Sequence, residues 1–515
     1  MGVSCLNDSY AANFNYKIIN DPIYGCINLS KTEVKLIDTR AMQRLRRIKQ
    51  MGFASYVFPS GEHSRFVHSL GVLCIMGKMC EHLYREYGNG EGEVSFNIED
   101  AKKLRIAALL HDVGHFPFSH LSECVYSYID TMTTSDAMME DFCACNNDDK
   151  LLCEIANFKK RKAKDHEHLG AEVIKNDPEI KAILEAENIS AKEIGEIIIG
   201  DVQARPVYAQ LMHSSLDADR LDYLLRDSRQ AGVSFGNVEL DYILRQLRIA
   251  KTVLTSKNGE QNSIELVVFD VRGQHAIEHF LMARYFHYSQ VVQHKTSTAF
   301  EAVAKALEYK VLREVVTPYR TYDDIVNLIG TEEFYKFTDD YMWELMRDYC
   351  EKSDNGYITV LWKCLSQRKK PVHVLTMTDI VPKSAANAKA NPVNDSTYLL
   401  AKWLIQNLQE KLAQEVQIEQ QFIGYVESKV NLESIPSYLR ADDCSIEQLE
   451  DDVRGAIRLI DKEGNISFLA SDSKSLINKM VDYTSNVLDV FVIGDQDGEK
   501  IELLKKTILS MARKK

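Results

Sequence analysis

The chain has 515 residues, 45% of them apolar and 27% charged, with a formal net charge of −13. That profile describes a globular protein long enough for more than one structural unit. The acidic balance argues against a general nucleic-acid coat or a cationic membrane binder; it permits a local basic pocket and leaves a specific nucleic-acid partner open. No apolar run reaches the ~18 residues that a bilayer span needs. Met1 to Tyr10 carries neither a basic flank nor an apolar core, so no secretion signal is expected. Gly2 opens only a partial myristoylation pattern, because Leu6 stands where Ser or Thr belongs. The 11 cysteines form no CxxC pair and read as reduced thiols of a cytoplasmic protein.

Taken in chain order, Lys31 to Met51 places Val34, Ile37, Met42, Leu45 and Ile48 at helical steps, with Arg44, Arg46 and Arg47 expected on a solvated face. Ser69 to Tyr87 and Ala101 to Leu110 read as further helices. Glu140 to Lys164 is polar at both ends and reads as an insertion. Asp217 to Asp227 has Leu221, Leu224 and Leu225 on one stripe, with Asp217 and Asp222 read as surface charges. Lys251–Thr255 and Glu265–Val271 flank Lys257-Asn258-Gly259-Glu260, a hairpin signal. Glu278 to Leu307 lacks Pro and Gly and predicts one long helix. After about residue 370 strand-like runs appear at Val372–Met377, Phe422–Val426, Ile457–Ile460 with Ile466–Leu469, and Val487–Ile493, while Lys383–Asp395 reads as a loop. The expected fold is mainly α, with a small β-hairpin in a helical core (1–370) and a C-terminal mixed α+β lobe (371–515).

The densest chemistry lies in His111-Asp112-Val113-Gly114-His115-Phe116-Pro117-Phe118-Ser119-His120, directly after the mostly apolar Leu104–Leu110. Adjacent His111 and Asp112 can offer a nitrogen and an oxygen to one divalent cation, and His115 follows His111 by one helical turn. Each such residue alone reads as an ordinary core histidine or surface carboxylate. With His68 at the start of one helical segment and Asp219 in another, the set becomes two imidazoles and two carboxylates, suited to Fe, Mn, Ni, Zn or Mg. Four protein ligands would leave two positions on a six-coordinate ion for water or a phosphate oxygen.

These residues resemble the HD-domain deoxynucleoside triphosphate triphosphohydrolases, in the branch of the animal SAM-and-HD-domain enzymes and their bacterial relatives. The resemblance runs in order through Asp21–Gly25, Arg44–Gly52, Tyr56–Pro59, Arg65–Gly71, His111–His120, His166-Glu167, Asp217–Asp227 and Gln293-His294-Lys295. It implies an HD-domain helical core in which His68, His111, Asp112 and Asp219 hold the metal. It places His115 and His166 at the α-phosphate, with Glu123, where the family has Asp, as an orienting carboxylate. It further places His120 and Tyr223 at the sugar, Asp227 at its 3′-hydroxyl, and Gln50 and Met51 at the base and 2′ position. Arg65, Arg220, Arg284 and Lys295 would hold phosphates; Arg220 replaces a Lys, and Val292 a Tyr, of the animal enzymes. The implied activity is metal-dependent hydrolysis of a dNTP to deoxynucleoside and inorganic triphosphate, in a homo-oligomeric dimer or tetramer with an activating nucleotide as an effector. The rival readings are another HD phosphohydrolase, acting as a phosphodiesterase or nucleotidase, and a nucleotide-sensing or nucleic-acid-binding regulator.

Overall fold

The Arg65–Tyr87 helix forms the spine of the helical part and starts about one turn earlier than its apolar periodicity predicts, after Ser64 in extended backbone. The computed structural model describes residues 10–90, 92–134, 148–158, 164–201, 205–255, 261–382, 397–431, 455–480 and 483–513. Alongside the spine packs the Ile98–Leu110 helix, opened by an Asn97–Asp100 capping box and closing at His111. Its Arg105 is buried against Glu33, with Nε 2.7 Å from Oε1 and Nη2 3.0 Å from Oε2.

Two predicted helices are subdivided, each for a local reason. Within Lys31 to Met51, the Thr39 hydroxyl donates to the Leu36 carbonyl and accepts from the Met42 amide, ending Lys31–Ile37 and starting Arg40–Arg44. Arg44 departs from the surface expectation. It is buried, donating from Nη2 to the carbonyls of Val113 (2.9 Å) and His115 (2.8 Å) and from Nη1 to that of Phe337 (2.7 Å). Burial lowers its pKa to about 10, with Asp339 pulling the other way. Arg46 and Arg47 are exposed as expected, the former over the Phe66 ring. Glu278 to Leu307 divides where Gln274–His287 passes into a π turn, Tyr288–Val292, and His294 in extended backbone caps Lys295–Glu314.

The strands form three small sheets among the described residues. β1 (Lys17–Asp21) and β2 (Gly25–Leu29) make an antiparallel hairpin that the sequence reading missed; Gly25, at φ +71°, closes its turn. β3 (Leu247–Thr255) and β4 (Gln261–Asp270) pair as the predicted hairpin, although residues 256–260 of its turn lie outside the described residues. β5 (Val372–Pro382) and β6 (Ile423–Asn431) flank a central β9 (Tyr483–Val492), all antiparallel. The Thr397–Val416 and Gly498–Arg513 helices pack onto that sheet through Ile405, Leu412, Leu504 and Ile508. β7 (Arg458–Ile460) and β8 (Ile466–Phe468) do not join them: β7 runs parallel beside β4, so C-terminal chain completes a sheet begun in the helical part. The structure is thus mainly helical, with a mixed C-terminal region. Of the predicted insertion, Asp148–Ala156 is a helix, and 140–147 and 159–163 lie outside the described residues, as does the predicted loop 383–395. No described helix is long and apolar enough to cross a membrane.

Glu308, fully buried between the Lys295–Glu314 and His120–Thr134 helices, gives a test of this packing. Burial pushes its carboxyl up to about 8, the Ser122 hydroxyl opposing and Asp339 reinforcing. The native state therefore keeps a proton that the unfolded chain, with Glu near its usual ~4.3, has released, so this group's stabilising contribution falls as pH rises from about 4.5 to about 8. We expect Glu308→Gln to remove that fall. In thermal melts, its midpoint relative to the unaltered protein should rise by several degrees between pH 5 and pH 8; a constant difference would refute the protonated assignment.

Candidate metal centre and active site

His68 lies in the first turn of the spine helix, His111 and Asp112 at the end of Ile98–Leu110, and Asp219 in the first turn of Ala218–Ala231. The fold brings these segments together. His68 Nε2 is 2.9 Å from Asp219 Oδ1 and 3.8 Å from Asp112 Oδ2. His111 Nε2 is 3.3 Å from Asp112 Oδ1 and 3.9 Å from Asp219 Oδ1. His68, His111 and Asp219 each offer a ligand atom within 4.8 Å of the others'.

Both imidazoles are oriented from behind. His68 Nδ1 is 2.8 Å from Asp222 Oδ2, and His111 Nδ1 is 2.8 Å from the Ala108 carbonyl. Their Nε2 atoms are buried and face the carboxylates of Asp219 and Asp112, so each ring presents its free nitrogen to the place where a cation would sit. Burial opposes charge on His68, but Asp219, Asp222 and Asp112 outweigh it and push its pKa up to about 10. Burial likewise resists ionisation of Asp112, yet Arg65, His111 and His115 hold its carboxyl well below the usual range. The surplus of negative charge and the mixed N/O donor set suit a divalent cation.

Asp222, read from sequence as a surface charge, is fully buried and belongs to this support. It accepts from Tyr24 Oη (2.7 Å), Arg226 Nε (2.9 Å) and Arg226 Nη2 (3.0 Å), and Arg226 Nη1 continues to Asp21 Oδ2 at 3.0 Å. The β1–β2 turn thus props a candidate ligand through an Asp21–Arg226–Asp222–His68 chain. Gly71 leaves it room: a Cβ there would come 1.9 Å from Asp222 Oδ1. Asp217 is also buried, capping its helix by accepting from the Arg220 amide and pairing with that residue's guanidinium; burial pushes its carboxyl up to about 6.

A second group, His115, His120 and His166, adjoins the first, with His115 Nε2 3.3 Å from Asp112 Oδ1. Gly114 permits it, since a Cβ there would meet the Gly170 amide nitrogen at 2.1 Å and the His166 carbonyl at 2.3 Å. The rings of His115 and His166 stack at 4.0 Å. Glu123 receives His120 Nδ1 at 2.9 Å and the His166 backbone amide at 3.2 Å. Burial lowers the pKa of His115, with Arg65 and His166 adding to it, and holds the ring neutral. Burial also lowers that of His166, but Glu123 more than restores it and the net shift is upward. His166 is therefore the better-charged partner of the pair.

A cavity of about 460 Å³ opens beside these groups. It gathers Gln50, Met51, Arg65, Asp112, His120, His166, Asp219, Arg220, Tyr223 and Asp227 from the predicted set. His115, fully buried, stands behind His166. Arg284 and Lys295 are not brought to the wall: Arg284 is buried and donates to the Ser215 carbonyl at 3.0 Å, and Lys295 is exposed at the start of its helix. Sequence reasoning missed His63 and His287, whose Nε2 atoms lie 2.8 and 3.5 Å from the two Asp227 oxygens, and Glu301 and Lys305 in the cavity wall. Only the position of His63, two residues before Arg65, carried any signal.

Asp222→Asn should weaken divalent-metal binding by about 10- to 100-fold, by freeing the His68 ring. Chelator competition measures this, and an unaltered affinity would contradict the orienting role.

Comparison with known proteins agrees with the geometry. A model of the HD domain matches residues 65–227, the stretch from the first arginine of the cavity to Asp227. An uncharacterized protein of Methanocaldococcus jannaschii is 31% identical over 331 residues, covering 64% of this chain and 57% of that one. The deoxynucleoside triphosphate triphosphohydrolase SAMHD1 of Homo sapiens is 47% identical over a shorter 105 residues, 20% of this chain and 16% of its own. The chain spans little more than half the length of curated relatives it matches more extensively. In fold, the crystal structure of a phosphohydrolase from Bacteroides thetaiotaomicron superposes with a TM-score of 0.60 at 22% identity, over 92% of this chain and 99% of that one. Residues 65–227 of this chain are an HD domain, set within a larger and mainly helical protein.

Proposed function

We propose that this protein hydrolyses deoxynucleoside triphosphates to deoxynucleoside and inorganic triphosphate, with a divalent metal held by His68, His111, Asp112 and Asp219. The observation that carries this reading is the order of groups along Ala218–Ala231, where Asp219, Arg220, Tyr223 and Asp227 all reach one cavity. At 1.5 Å per residue the helix is a ruler: Arg220 and Asp227 stand about 10 Å apart along it. A triphosphate would lie near Arg220 and Arg65, the sugar against Tyr223 and His120, and the 3′-hydroxyl at Asp227. Gln50, whose backbone N–H donates to the His63 carbonyl at 2.9 Å, stands at the Asp227 end, where a base would follow. The short match to a deoxynucleoside triphosphate triphosphohydrolase supports the same reading.

A bound divalent ion would supply Lewis-acid polarisation of the phosphate under attack. The protein's own groups do the remaining work. Arg65, buried beside Asp112, and Arg220, beside Asp217, bring fixed positive charge to an acidic protein. His166, held by Glu123 and lining the cavity, would donate the proton that the departing 5′ oxygen requires, and neutral His115 stacks behind it to fix its ring.

Metal-loaded protein incubated with each dNTP, alone and in mixtures, should release triphosphate and deoxynucleoside, identified by mass. Release of orthophosphate, pyrophosphate or a nucleoside monophosphate instead would refute the reading in favour of another phosphohydrolase. His166→Ala should lower kcat by about 10²- to 10⁴-fold with metal content retained; an unchanged rate would remove it from the chemistry.

A further inference from the structure

We propose that Asp339, which lies outside the HD-matched stretch, is a positioning residue that holds two separate stretches of the cavity wall in register. This rests on the substrate reading above and adds the element that aligns base and phosphate ends. Asp339 is the first residue of the Asp339–Lys352 helix and is buried, with no more than 5% of its surface exposed. Its Oδ1 accepts the Phe118 amide at 2.7 Å, and its Oδ2 accepts the Lys49 amide at 3.0 Å. The two bonds reach separate stretches of the cavity wall: Lys49 immediately precedes Gln50 and Met51, and Phe118 leads through Ser119 to His120.

The corner that Asp339 grips needs an external hold. Phe118 (φ +52°) and Ser119 (φ +59°) are consecutive non-glycine residues in left-handed backbone, a conformation that L-residues keep only when their surroundings impose it. Ser119 closes the clamp from the other side: its Oγ donates to the Lys49 carbonyl at 2.8 Å and accepts from Arg65 Nε at 2.9 Å. Lys49 is thus tied to the histidine-bearing corner twice, directly through its carbonyl and through its amide by way of Asp339. Arg44 secures the same region, joining the Phe337 carbonyl to those of Val113 and His115. A carboxylate that accepts two amides from separate segments fixes their spacing, and small misplacements of reacting groups cost much rate.

The test uses the full metal-loaded chain. Asp339→Asn keeps the shape but turns an amide NH2 toward one of the two donors; Asp339→Ala removes both acceptors. We expect kcat per folded, metal-loaded molecule to fall about tenfold or more in the Asn variant and further in the Ala variant. The Lys49 and Phe118 amides should exchange hydrogen faster in both. Ser119→Ala added to Asp339→Asn should cost less than it costs alone, because both act on one clamp. A kcat within twofold of the unaltered protein, or a loss matched entirely by reduced folding or metal content, would overturn the proposal. If the unaltered protein turned over none of the four dNTPs, the substrate reading would fall by itself. Amide exchange would then decide the clamp, with unchanged Lys49 and Phe118 rates overturning it and faster rates supporting it.

Discussion

Asp112, Asp219 and Asp222 gather round two imidazoles inside a shell of helices, and ionised groups in such surroundings persist only when something balances them. Much of the surrounding structure serves that balance. Arg226 answers Asp222 and is answered in turn by Asp21; Arg65 answers Asp112; a cation between His68, His111 and Asp219 would answer the rest. The β1–β2 hairpin, the spine helix and the Ala218–Ala231 helix are joined by this charge network as well as by apolar contact. Removing one member leaves its partner buried and unpaired, which costs more than the pair contributes.

The parts of this arrangement that local pattern controls were legible in the sequence. The spine, the Ile98–Leu110 helix, the β3–β4 hairpin and the C-terminal strands follow from periodicity and turn residues. The residues at the cavity, from Gln50 to Asp227, were reached through motif order. What stayed hidden depends on contacts distant in sequence. A side chain spacing that looks amphipathic cannot say whether Arg44 faces water or three carbonyls contributed by residues 113, 115 and 337. Asp222, on the same helix as Asp219, looks like a surface charge until β1–β2 and the spine are folded against it. The breaks at Thr39 and His294 come from side chains bonding to backbone, a competition that hydrophobic pattern does not register.

The cavity is a composite in the same sense. One wall is a helix that spaces its polar groups along a single direction; another part is turns and short helical ends, from Gln50 to Ala54 and from Phe118 to Leu121. Such backbone can approach a ligand closely but holds its shape only with outside support. Here that support comes from the Phe337–Asp339 segment, well beyond the HD-matched residues. The helical additions around the HD domain therefore shape its site.

X-ray absorption on the protein loaded with iron, manganese or zinc bears most directly on the central claim. The account predicts a shell of two imidazole nitrogens with carboxylate oxygens, at the roughly 2.0–2.2 Å typical of such donors, and its disruption by His68→Ala. A shell with thiolate sulfur, with no imidazole, or unaltered by loss of His68 would contradict it.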